Sequence, residues 1–142
     1  NVLGCEEIVV GEGAFDVMAT KIAMDEEVAL RRVGQVGTFG KNLSHGSAAG
    51  DDQLGAFITL KKLGLKRVVI MWDGEGSALK SAIDAGRILQ SVGLQCRVAV
   101  LPEDKDPNEV PGEVVRQCYY QALPHTSATL LREVLRRSRG KR

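Results

Sequence analysis

Residues 68–76 read Val68-Val69-Ile70-Met71-Trp72-Asp73-Gly74-Glu75-Gly76. Five consecutive bulky apolar residues suit a short strand covered on both faces, and acids interleaved with glycines follow it at once. The same grammar recurs elsewhere. Ile8-Val9-Val10 leads into Gly11-Glu12-Gly13 with Asp16 beyond, Val33 to Val36 leads into Gly37-Thr38, and Val98 to Leu101 leads into Pro102-Glu103-Asp104-Lys105-Asp106. Between these runs lie stretches with helical spacing: Phe15 to Ala23, Gln53 to Leu63 and Ser77 to Val92, the last placing Ala78, Ala82, Ala85, Leu89 and Val92 on one stripe. Gly64 and Gly93 each end a helical run just before the next strand, where a left-handed cap belongs. Val110 to Tyr120 and Ser127 to Arg137 read as closing helices, with Pro124 breaking the chain between them. Alternation of this kind predicts an α/β fold with about four strands in a mostly parallel sheet and helices on both faces.

Composition agrees. The chain has 142 residues, 44% hydrophobic and 26% charged, which is enough for one domain with its own core and argues against disorder or coiled coil. No apolar run approaches the roughly 18 to 20 residues that span a bilayer, and no signal segment opens the sequence. The first residue is Asn1, which reads as a piece of a longer chain. Cys5, Cys96 and Cys118 are scattered, without a CxxC pair, and fit idle thiols in a reducing compartment, so the expected location is cytoplasmic. Charge is uneven. The last twelve residues hold six basic residues and one acid, leaving 13 basic and 17 acidic groups in residues 1–130, a net of −4. An acidic body with a basic end does not grip nucleic acid by bulk charge alone. The expected division is a catalytic unit over 1–123, with 124–142 a basic helix or linker toward a missing region.

The positions of the acids carry the functional reading. In a parallel sheet every strand ends at the same edge, where open α/β folds bind ligands. Glu12 and Asp16, Asp73 and Glu75, and Glu103, Asp104 and Asp106 thus arrive at one rim from three strands. Any one of them also serves as a loop-solvating or helix-starting residue. Together they would repel unless a cation sat among them, and hard divalent cations take oxygen ligands. Gly11, Gly13, Gly74 and Gly76 are expected to let the backbone approach a ligand closely. The Gly37-Thr38 turn offers N–H groups to a phosphate, a weak signal alone. No GxxxxGK[ST] P-loop occurs, and Gly11-Glu12-Gly13 lacks the third glycine of a dinucleotide fingerprint.

These residues resemble the Toprim family. Gly11-Glu12-Gly13-Ala14-Phe15-Asp16-Val17 is similar to its first motif, and Val69-Ile70-Met71-Trp72-Asp73-Gly74-Glu75 to its strand-then-Asp-x-Asp motif. Leu101-Pro102-Glu103-Asp104-Lys105-Asp106-Pro107-Asn108-Glu109 resembles a segment of bacterial-type (DnaG-like) and phage primases, and Gly37-Thr38 falls at that branch's Gly-Thr turn. Glu75 stands where the family usually has Asp, Asp104 where it commonly has Gly, and Ser77-Ala78 where it has Ala-Gly. The resemblance implies a Toprim (Rossmann-like) fold and a primase-type nucleotidyltransferase making RNA primers on a single-stranded DNA template from nucleoside triphosphates. It implies Glu12, Asp73 and Glu75 as catalytic acids. Glu12, Asp16, Asp73, Glu75, Glu103 and Asp106 become ligands of Mg²⁺ or Mn²⁺, with Lys80, Lys105, Gly37 and Thr38 as phosphate contacts. A replicative helicase, fused or separate, is the expected partner.

Two other functions use the same acids: phosphodiester cleavage by a nuclease or topoisomerase-like Toprim protein, and a non-catalytic nucleic-acid-binding module. Tyr119 and Tyr120 lie in a helical run and read as packing residues, not covalent nucleophiles. Trp72 reads as a buried strand end, and His45 and His125 as surface loop residues. The basic run Arg132, Arg136, Arg137, Arg139, Lys141 and Arg142 reads either as a DNA contact or as a solvated helix end.

Overall fold

The structure, a computed structural model, describes residues 3–37 and 53–139. Five strands and five helices alternate along the chain: β1 (Glu7–Gly11), α1 (Ala14–Asp25), β2 (Gly34–Gly37), α2 (Gln53–Lys62), β3 (Arg67–Ile70), α3 (Gly76–Ser91), β4 (Gln95–Val98), α4 (Gly112–Tyr120), β5 (Leu123–Pro124) and α5 (Ala128–Arg139). The sheet order is β2-β1-β3-β4-β5, parallel except for β5. This is a Rossmann-like α/β fold, as expected from the alternation of apolar runs.

The central strands are apolar on both sides because both sides are covered. Ile8, Val10, Val68, Ile70 and Val98 face one core, filled by Phe57 of α2, Ala78, Leu79, Ala82, Ala85 and Leu89 of α3, and Leu130 and Val134 of α5. Val9, Val69, Met71, Ala99 and Leu101 face the other, against Ala23 and Met24 of α1 and Val115 and Cys118 of α4. Register is tight: Val10 pairs with Val36 on one side and Ile70 on the other, and Ile70 pairs with Val98. Slipping one strand by a residue would turn its apolar set onto the wrong layer. Gly64 (φ +117°) and Gly93 (φ +91°) adopt the left-handed conformation their positions predicted.

Three features depart from expectation. The fourth strand is Gln95–Val98, not Val98–Leu101. The buried run continues past the ladder as covered loop, with Ala99 N–H still donating to the Ile70 carbonyl. A fifth strand of two residues exists because Leu123 and Pro124 lie antiparallel to Val98 and Arg97, while the Arg97 guanidinium donates to the Ala122 carbonyl beside them. Pro124, with no N–H to give, sits on this sheet edge, where the missing donor is tolerated. His125 is buried, not a surface residue. It packs against Gly86, where an added Cβ would come within 2.7 Å of the imidazole's own Cβ. His45 lies outside the described residues.

Trp72 is 2% exposed and belongs to the core, so its ring offers no free face for base stacking. Cys96 and Cys118 are free and buried, and burial pushes both thiols up, Cys96 to about 12, which leaves them unreactive. Among the described residues no helix is long and apolar enough to cross a membrane.

Candidate metal centre

The strand order sets the site. From β1 the chain moves outward through α1 to β2, then returns over the other face through α2 to β3, so the crossovers diverge between β1 and β3. In open α/β sheets that divergence opens a crevice beyond the strands' carboxyl ends. Asp16 lies in the first turn of α1, just after β1, and Asp73 lies three residues past β3. Asp106 follows β4 and starts a short 3-10 turn (Pro107–Glu109). One carboxylate oxygen from each of these three half-buried residues falls within 4.8 Å of the others.

Asp16 and Asp106 are each set by local chemistry. Gly13 opens α1 without a side-chain cap, so an acid in the first turn meets the helix's positive end. Thr20, one turn on, donates to the Asp16 carbonyl at 2.8 Å and sits buried beside Met71. Asp106 caps the 3-10 turn. Its carboxylate accepts from Asn108 N–H at 2.9 Å, and Glu109 accepts from Asp106 N–H at 3.1 Å, a reciprocal capping box. Pro107 at the turn's first position is buried against the fold.

Electrostatics match crowded carboxylates. Burial, then the charges of Asp106 and Asp73, and then of Glu12 push Asp16 up to about 6, against an opposing hydrogen bond from Asn108 N–H. A divalent cation among these oxygens would reverse the balance, since it would favour the charged form of every neighbour. The donors are all hard oxygens, which fits Mg²⁺ or Mn²⁺.

The other expected residues take different places. Glu12 lies in the β1–α1 loop, half-buried and close enough to act on Asp16 through its charge. Glu75 is the residue that opens α3 and is half-buried, outside the converging trio. Glu103 is exposed and pairs with Arg136 of α5 at 3.4 Å. The turn between Glu103 and Asp106 explains their separation. Lys105 N–H donates to the Pro102 carbonyl, and Asp104 adopts φ +61°, so the chain reverses between them. Glycine adopts that conformation without the strain an L side chain carries.

Lys80 is exposed on α3 and paired with Asp84 at 3.2 Å. Lys105 is exposed on the rim, and its carbonyl accepts from Gly74 N–H at 2.8 Å. Gly37 ends β2 opposite Gly11, and Thr38 lies outside the described residues.

Gly74 and Gly76 do not leave room for a ligand. A Cβ on Gly74 would land on the Pro102 carbonyl oxygen and come within 3.0 Å of the Arg137 guanidinium. One on Gly76 would collide with Ser138, 2.8 Å from its backbone nitrogen. The space belongs to the next loop and to α5. Arg137, part of the basic run, is not on a solvated helix face: it is 6% exposed. Its Nη1 donates to the carbonyls of Gly74 (2.5 Å) and Leu101 (2.7 Å), and its Nε to Glu133 (2.8 Å). Hydrogen bonds from Arg136 and Arg137 hold Glu133 down at about 2. The i, i+4, i+7 spacing of Leu130, Val134 and Arg137 was the available signal, since it continues an apolar stripe with an arginine.

A cavity of about 800 Å³ lies at the opposite end of the sheet, lined by Glu7, Arg67, Arg97 and Tyr119 among others, and shares no residue with the acidic rim. Tyr119 hydrogen-bonds Glu7 there, and Tyr120 hydrogen-bonds Glu27, so both tyrosines tie α4 to its neighbours.

No known family model matches this sequence, and no curated protein matches it. Solved structures do. The chain is similar to the Aquifex aeolicus primase (zinc-binding and RNA polymerase domains), with a TM-score of 0.58 and 23% identity over 95% of this chain and 32% of that one. It is also similar to the RNA polymerase domain of Mycobacterium tuberculosis primase DnaG, with a TM-score of 0.54 and 22% identity over 96% of this chain and 40% of that one. The fold is shared with these primase domains. The chain spans 32% and 40% of their lengths.

Proposed function

We propose that this chain is the Toprim catalytic domain of a DNA primase of the DnaG or phage type, joining nucleotides into RNA primers on single-stranded DNA. The observation that carries this reading is the meeting of Asp16, Asp73 and Asp106 at the switch point of the sheet. The fold shared with two primase domains, and the primase-like segment from Leu101 to Glu109, support it.

In this reading Asp16, Asp73 and Asp106 would hold Mg²⁺ or Mn²⁺, with Glu75 on the same rim as a further ligand, and Glu103 joins them only by leaving its ion pair with Arg136. The ions supply charge stabilisation for the attacking and leaving oxygens of phosphoryl transfer. We assign Glu12 as a metal ligand or as the acceptor of the primer 3′-hydroxyl proton, because its carboxylate is close enough to the trio to act on Asp16 through its charge. Lys105 on the rim contacts the triphosphate and Lys80 a phosphate further out, each leaving its present solvent or ion-pair environment. Gly37, the last residue of β2, lies at the same edge, and in this reading Gly37 and Thr38 are further phosphate contacts. Single-stranded DNA is the template, and a replicative helicase, fused or separate, is the partner in the cytoplasm.

The test is primer synthesis by the full-length protein on single-stranded DNA with Mg²⁺ or Mn²⁺. Asp73→Asn and Asp106→Asn are expected to lower kcat by at least about 10²-fold with circular dichroism unchanged, the scale set by losing transition-state electrostatics. Metal-dependent cleavage of DNA without synthesis would instead favour a nuclease.

A further inference from the structure

We infer that Arg137 of α5 is a positioning residue for the metal centre, tying the loop that carries Asp73 to the loop that delivers Asp106; this rests on the metal-site reading above. The two loops come from different strands, and the ladder between them runs out at the bond from Ala99 N–H to the Ile70 carbonyl, three residues before Asp73. Three hydrogen bonds join the loops beyond it. Gly74, one residue after Asp73, donates its N–H to the carbonyl of Lys105, one residue before Asp106. Arg137 Nη1 then donates both to the Gly74 carbonyl and to the Leu101 carbonyl at the head of the second loop.

The chemistry of the residue argues for this role. Leu130 and Val134 are buried on the same stripe of α5, and a third apolar side chain would extend the core. An arginine there must be desolvated, which is unfavourable unless every donor direction is used. Its planar fork satisfies two loops and Glu133 at once, a geometry that the single ammonium of lysine cannot reproduce. Gly74 and Gly76 are the complementary adaptation, since a Cβ at either would push α5 or the second loop away. Glu103 pairs with Arg136, so a second contact from the same helix turn reaches the same loop.

The experiment compares Arg137→Met, Arg137→Lys and Val134→Ala in the full chain. Val134→Ala weakens the packing of the same helix without removing a bond to either loop. Two readouts are taken: hydrogen exchange at the Gly74 and Lys105 amides without metal, and Mn²⁺ affinity. Both arginine variants are expected to accelerate exchange at these amides and weaken Mn²⁺ binding at least about tenfold, the usual scale for partners that orient metal ligands. Val134→Ala is expected to lower the melting temperature while leaving both readouts near wild type. Should Arg137→Met fail to fold, Arg137→Lys carries the comparison alone. Wild-type exchange in the arginine variants overturns the inference, as does Val134→Ala reproducing both changes in proportion to its stability loss. A wild type that binds no Mn²⁺ overturns the metal-centre assignment for Arg137 and the metal reading together. Binding that survives in the arginine variants overturns only the inference.

Discussion

Asp16 is the residue at which the account is most exposed to test. Its carboxyl is pushed to about 6, above the ordinary 3.8, by burial and by the neighbouring acids. The folded chain therefore holds a proton more tightly than the unfolded one. Stability from this group is complete below about pH 4 and is lost as pH rises through about 6. Asp16→Asn is expected to raise the melting temperature of the metal-free protein at pH 7 and change it little at pH 4, as read by thermal denaturation across that range. If Asp16 is a ligand, as proposed, the same substitution weakens Mn²⁺ binding while stabilising the metal-free form. Asp104 makes an independent case. A left-handed φ costs an L-residue about 1–2 kcal/mol, less for Asp, and glycine avoids it. Asp104→Gly should add about 0.5–1 kcal/mol in denaturant unfolding with no change in metal affinity. Which acids converge was only partly legible at this scale. Glu103 and Asp106 follow the same strand three residues apart, and only the reversal at Asp104 separates an exposed ion-pair partner from a member of the trio.

At the scale of elements, β1 to β3 were legible because continuous apolar runs admit few alternatives, and α2 and α3 because Gly64 and Gly93 follow them. β4, in contrast, lies three residues earlier than its apolar run, because that run continues past the ladder as buried loop. What stayed hidden was made by contacts distant in sequence. β5 is two residues long and contains a proline, so no periodicity announces it; it exists because β4 offers an open edge. Gly74 and Gly76 resembled ligand-approach glycines, but which atom fills the space beside a glycine is decided by tertiary packing, here by Pro102 and Ser138. Their role gives a prediction at the junction of α3 and α5. Gly76→Ala replaces a residue in a helix, where alanine is ordinarily preferred, yet its Cβ meets the Ser138 backbone. It is therefore expected to destabilise the chain by about 1–3 kcal/mol, the range for overpacking, in equilibrium unfolding.

Across the whole molecule, sheet order does the work that no local pattern can. Two crossovers leaving β1 and β3 on opposite faces open the crevice where acids from three strands meet. Alternation alone predicted parallel strands and one rim; the order β2-β1-β3-β4, read only from the folded chain, says which strand ends adjoin. The apolar layers hold that order, and α5 closes one of them while reaching the rim through Arg137. The most direct test is a Mn²⁺ titration of the wild type, Asp73→Ala and Asp106→Ala, with and without a nucleoside triphosphate. The account predicts saturable binding in the wild type that tightens with nucleotide and is lost in both variants while their circular dichroism stays native. Wild-type binding unaffected by either substitution, or none at millimolar Mn²⁺ with nucleotide present, would contradict it.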